Sequence, residues 1–221
     1  MKKYKFTGET KTIYLPFGTV TLHRIKAVVE FGLVKVGDLG GWIEKEENLS
    51  HEENAWVYGD AEVCGNAKVY GDAKVCGNAE VRGNAWVCGN AEVYGDAKVY
   101  GDAKVYGDAK VYGDAEVRGN AWICGSAKVF STDHVLVIGA IGSRNDFTTF
   151  FRDKDNEITV KCGCFLGKID KFLEKVTQTH KDTKHALVYR AAVEVAKLQI
   201  DLTEKVQGDE KVNGKSKIKI Y

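Results

Sequence analysis

Residues 55–72 read AWVYGD, AEVCGN and AKVYGD, and this six-residue unit recurs thirteen times without insertion between Asn54 and Ser131. Alanine holds 55, 61, 67 and every sixth position to 127, with Val or Ile two residues later. The period is too short for a helical hairpin or a propeller blade, and it is the hexapeptide period of a parallel β-solenoid. In Ala67-Lys68-Val69-Tyr70-Gly71-Asp72, Ala and Val lie two apart and share the inner face of a strand, while Lys68 points outward. Gly followed by Asp or Asn supplies the corner, because Gly tolerates positive φ and the Asx side chain can bond the turning backbone. Three corners close a coil of 18 residues, so the repeat makes about 4.3 coils and a prism about 20 Å tall at 4.8 Å per coil.

Residues 18 apart then stack, which sorts the outward side chains into three walls. One wall carries Lys68 with Tyr70, Trp86 with Cys88, Lys104 with Tyr106, and Trp122 with Cys124. Each Trp therefore lies beside a lysine of the next coil, as cation–π packing favours. This wall reads either as plain covering for the ladder or as a subunit or partner interface, formed by Lys68, Tyr70, Trp86, Lys104, Tyr106 and Trp122. A second wall stacks Arg82, Tyr100 and Arg118 beside Glu80, Lys98 and Glu116. It reads as an ion-pair ladder, or as a grip for a phosphate or a base.

Outside the repeat, residues 1–53 show short alternating stretches and glycine turns, which predict a β cap. Asn48 and Leu49 sit six before Asn54 and Ala55, so the phase is expected to begin one irregular unit early. Residues 132–200 predict a small ββαα domain closing the other end. Its strands fall at Val135 to Ile138, Phe147 to Phe151 and Ile158 to Cys162. Its first helix buries Ile169, Phe172, Leu173 and Val176; its second, near 183–200, is expected to bury Leu187, Ala191, Val195 and Leu198, with Asp182 or Thr183 as N-cap. Residues 201–221 are polar and read as a loose tail, with a short strand at Ile218 to Ile220 as the alternative.

The A-x-V-x-G-[D/N] register resembles the hexapeptide-repeat, left-handed β-helix proteins. T-L-H-R-I-K-A at 21–27 and G-D-L-G-G-W-I-E-K-E-E-N-L-S at 37–50 resemble small phage and prophage proteins described as polymer-forming or transferase-like. That resemblance implies a homo-oligomer, commonly a trimer, and leaves function open. Hexapeptide acyltransferases use a His at a subunit interface as base. This chain has no His between 54 and 131, and no loop interrupts its coils; only His51 and His134 flank the repeat.

In the tail domain, the turn Gly139 to Asp146 is the candidate anion loop, with Ser143, Arg144 and Asp146 and with Arg152 on the following strand; an ordinary glycine-rich turn is the plainer reading. Cys162 and Cys164 with His180 and His185 offer four zinc-ligand types. One residue between the cysteines is tighter than the usual two to four, which favours buried thiols over a metal. No cofactor is expected.

A formal charge of +1, with eight Lys or Arg against ten Asp or Glu in the repeat, argues against a nucleic-acid track. No apolar run reaches membrane length, and six cysteines without adjacent column partners read as free thiols of a reducing, cytoplasmic setting. The expected function is a non-enzymatic oligomeric binding protein, trimer or dimer, sequestering a host protein or nucleotide signal as an antagonist of host defence. A polymer-forming scaffold and an acyltransferase are the alternatives.

Overall fold

A computed structural model describes residues 1–16 and 18–203. The tail and strand readings for residues 204–221 lie outside the described residues. A long hairpin, β1 (Tyr4–Leu15) and β2 (Gly18–Ala27), leads into β3 (Leu39–Ile43). Thirteen two-residue strands follow, β4 (Trp56–Val57) through β16 (Lys128–Val129), one per hexapeptide. Four antiparallel strands, β17 (Val135–Ile141), β18 (Asp146–Arg152), β19 (Ile158–Cys162) and β20 (Phe165–Lys168), precede helices α1 (Ile169–His180) and α2 (Lys184–Gln199).

The chain folds as the left-handed parallel β-helix that the repeat implies. Every solenoid strand pairs in parallel with a strand 18 residues away: Lys68 with Trp86, Lys104 with Trp122, Lys98 with Glu116, Glu92 with Lys110. The ladder closes through bonds such as Lys68 N–H to Ala85 C=O at 2.9 Å. The inward Ala and Val or Ile side chains of the repeat are sealed from solvent, almost all of them completely. At the corners the glycines hold φ near +70°, and a Cβ on Gly71 would sit 2.9 Å from the Gly89 nitrogen of the next coil. Asn side chains continue the stacking outside, with Asn84 donating to Asp102 and Asn90 to Asp108, each at 2.9 Å.

The start of the solenoid differs in detail from the sequence reading. Ile43 pairs with Val63, and Leu49 bridges Val69, each across twenty residues instead of eighteen. Leu49 therefore occupies a valine position of its coil, two places from the alanine phase expected of it. The segment between Leu49 and Trp56 absorbs the two extra residues, with Glu53 at φ +55°. With this irregular opening turn the solenoid has about five turns. Tyr4, Ile25, Ile43, Leu49 and Trp56 plug its lower end, all fully buried. Lys3 closes the rim, its Nζ donating to the carbonyls of Ala55 at 2.7 Å, Glu52 at 3.2 Å and Glu53 at 3.3 Å. Burial lowers its pKa to about 8.

The C-terminal region is a small sheet followed by two helices, as expected, and adds a fourth strand, β20, to the three read from the sequence, so it is fuller than the shorthand ββαα. Alternation along β18 gives its sheet two duties: Phe151 and Thr149 face the upper end of the solenoid, while Phe150 turns toward the helices. Ile158, Val160, Phe172, Val176, Tyr189 and Val193 complete that second core. Helix α1 buries Ile169, Phe172 and Val176 as its spacing predicts. Helix α2 does not follow its expected stripe: Leu187, Ala191, Val195 and Leu198 face solvent, and Ala186, Tyr189, Ala192, Val193 and Ala196 face the core. Thr183 is its N-cap residue, without a side-chain cap bond. No helix among the described residues is long and apolar enough to cross a membrane.

Candidate ligand cleft at the end of the aromatic wall

The wall of β6 (Lys68–Val69), β9 (Trp86–Val87), β12 (Lys104–Val105) and β15 (Trp122–Ile123) is a four-stranded sheet, and its alternation of Trp and Lys works as the spacing predicts. Lys104 Nζ lies 5.0 Å from the Trp86 ring centre and 4.4 Å from that of Trp122. Tyr70 meets the other side of Trp86 edge-on, with centroids 6.3 Å apart. Tyr106 packs against Cys124, and burial with this thiol contact raises its pKa strongly. Trp86 keeps 40% of its surface exposed.

The upper end of this wall runs beneath the C-terminal sheet. Trp122 N–H donates to Thr149 Oγ1 at 3.1 Å, and Lys161 on β19 places its Nζ 5.0 Å from the Trp122 ring centre. Between wall and sheet lies a cleft of about 190 Å³, lined by Asp102, Lys104, Asn120, Trp122, Asp146, Phe147, Thr149 and Lys161. Thr149 is buried but for 2% of its surface. It accepts from the Trp122 backbone and keeps its own O–H to donate. Two ammonium groups thus attend one indole, one from each side of the junction. Among the described residues neither lysine forms an ion pair; Lys161 donates to the Gly163 carbonyl. Cation–π contact at an exposed site is worth about 0.5–1 kcal/mol, which leaves both charges able to meet an anion. Lys161 was invisible as a site residue in the sequence, because nothing local marks which face of β19 meets the solenoid.

The other expected site residues are dispersed. Arg82 is salt-bridged to Glu80; Lys98 lies 3.8 Å from the same carboxylate; Tyr100 donates to Glu116 at 2.9 Å; and Arg118 sits 3.6 Å from Glu116. This wall is an internally paired ladder. Ser143 and Arg144 form the tip of the β17–β18 hairpin, whereas Asp146 opens β18, accepts from the Phe147 backbone N–H and lines the cleft. Arg152 does not join them, because it closes β18 at the opposite end. Its guanidinium is buried, stacks 4.5 Å from the Phe130 ring centre, bonds Asn156 and lies 3.3 Å from His134 Nε2. It extends an aromatic stack of Tyr94, Tyr112, Phe130 and His134 on the third wall.

The cysteine and histidine candidates are not gathered either. Cys162 ends β19 and accepts from Thr148 at 3.3 Å, facing Tyr189, while Cys164 is exposed in the following turn. His180 and His185 lie 5.9 Å apart at the helix junction. Among the described residues no three His, Cys, Asp or Glu side chains converge as a metal site. His134 is fully buried, and burial followed by the Arg152 charge lowers its pKa to about 4. His51 stacks on Tyr4 at 4.2 Å and lies 3.8 Å from Glu46.

The fold and its period are those of hexapeptide-repeat β-helix proteins. No protein-family profile matches the chain. An uncharacterized acetyltransferase, YdcK of Escherichia coli (strain K12), is 36% identical over 77 residues, covering 30% of this chain and 24% of that protein. The chain thus spans about a quarter of that relative's length. The likeness fits a hexapeptide-repeat protein and leaves the activity open.

Proposed function

We propose that this chain is a binding protein whose aromatic wall and adjoining cleft capture a partner bearing an anionic group. The observation that carries the reading is the meeting of Lys104 and Lys161 on Trp122, neither of them in an ion pair, in a cleft that Thr149, Asn120, Asp102 and Asp146 also line. A phosphate or carboxylate placed there would take charge-assisted hydrogen bonds from both lysines. The resemblance of residues 21–27 and 37–50 to small phage and prophage proteins gives the reading its narrower form, sequestration of a host factor or nucleotide signal. Self-assembly through the same wall remains part of the proposal, as dimer or trimer. A coil-on-coil polymer is disfavoured by the plugged lower end and the sheet laid over the upper one.

Calorimetric titration with nucleotides, inorganic phosphate and acetyl-CoA tests it. Lys104→Ala with Lys161→Ala is expected to weaken binding at least tenfold, since hydrogen bonds to charged groups contribute about 1.5–3 kcal/mol each. Equal affinity in wild type and the double variant would remove the cleft from the account. A second reading, acetyl transfer, is favoured by the match to the E. coli protein named as an acetyltransferase. It requires a base, and of the two histidines flanking the repeat the fully buried His134 is closed to substrate, which leaves His51. Absence of acetyl-CoA turnover by the wild-type protein across candidate amine and hydroxyl acceptors would dismiss it.

A further inference from the structure

Helix α2 is apolar on two opposite faces. The inner face packs on the sheet and α1, whereas Leu187, Val195 and Leu198 stand 58%, 48% and 89% exposed, with Ala191 exposed between them. Charged residues such as Arg190, Glu194 and Lys197 lie between the two faces, so the outer one is a separate apolar stripe that a surface helix would ordinarily fill with polar residues. We propose that the outer stripe is covered by a second copy of this chain, the two α2 helices packing antiparallel about a twofold axis at Ala191. The proposal is independent of the cleft.

The residues themselves carry the symmetry that a twofold contact demands. Leu187 and Val195 lie four residues on either side of Ala191, so the axis sets each Leu187 against the Val195 of the second copy. The small side chain at the centre lets the helix axes approach closely. Arg190 and Glu194 share one flank of the stripe and straddle residue 192. The same rotation brings each Arg190 toward the Glu194 of the other copy, whereas a parallel pairing sets like charges together. In the single chain Arg190 pairs with Asp182 at 3.8 Å and donates to Thr177 Oγ1 at 3.3 Å and to the Lys181 carbonyl at 3.5 Å, while Glu194 pairs with Lys197 at 2.9 Å; the ion pairs are of the exposed kind that contributes little.

Light scattering on the full chain tests the contact. The wild type is expected to have the mass of an even-numbered assembly, and Leu187→Asp with Val195→Asp is expected to halve it while circular dichroism is unchanged, because both side chains are exposed. Arg190→Glu alone should weaken the assembly, and adding Glu194→Arg should restore it. In a Cys164→Ser background, Ala191→Cys should be joined to a second chain by a short bismaleimide. An unchanged mass in the double aspartate variant, or no cross-link at position 191, overturns the proposal. So does a wild-type monomer that associates only when residues 204–221 are removed, since the chain's own end would then be the cover.

Discussion

In the solenoid inward side chains stack at a fixed separation of eighteen residues, whereas in the C-terminal region core contacts join unlike elements at no fixed separation. Val99 pairs with Val81 and Val117 in register. Phe172 instead rests against Phe150, Phe165 and Tyr189, from two strands and a second helix. The first kind of core is specified by a period and repeated, so its errors are local. The second depends on one arrangement of unlike elements, and its orientation is decided by the whole set at once.

The largest loss is expected from a charge in the middle coil. Val99→Asp places a carboxylate among fully buried alanines and valines with no partner, and is expected to cost more than about 4 kcal/mol in denaturant unfolding. The same change at Leu187, which is exposed, should leave the stability of the single chain within about 0.5 kcal/mol. Phe172→Ala comes next, with an expected loss of about 3–5 kcal/mol confined to the C-terminal core. Hydrogen exchange should then quicken in residues 135–200 while solenoid amides stay protected; simultaneous opening of both would erase the distinction.

A third substitution probes the corners. Gly71→Ala puts a Cβ at φ +74° and 2.9 Å from the next coil's backbone, and should cost about 2 kcal/mol. Gly119→Ala, at φ +63° with nothing within 4 Å of the new Cβ, should cost about half as much, so equal losses would mean that coil-to-coil crowding is irrelevant. A pH slope is expected at the junction. His134 has a folded pKa near 4 against 6.5 when unfolded, so between these values the unfolded chain binds more protons. Stability is therefore expected to fall as pH drops from 6.5 toward 4, lowering the melting midpoint by a few degrees. His134→Gln should flatten that slope.

The repeat makes coil size, strand register and the membership of each wall legible in the sequence, because contacts at fixed separation recur along the chain itself. Lys104 between Trp86 and Trp122 follows from that counting alone. Leu49 shows the limit, since two extra residues in one turn shift the phase without leaving a mark. On α2 the pattern misled for a physical reason: Leu187, Ala191, Val195 and Leu198 carry the stronger apolar periodicity, but the face bearing Tyr189 and four small or medium side chains fits closer over the sheet. Nearness in sequence suggests that Arg152, on the following strand, joins the loop, yet that seven-residue strand carries it about 20 Å away.

By itself, the sequence determined a triangular solenoid with an Ala and Val interior and three unlike walls, because hexapeptide contacts are short-range and periodic. Only the tertiary structure decided that β18 and β19 lie over the end of the aromatic wall, that Lys161 comes to face Lys104 across Trp122, and that α2 turns its larger apolar stripe outward. Those outcomes depend on how unlike surfaces fit, and no period along the chain encodes the fit.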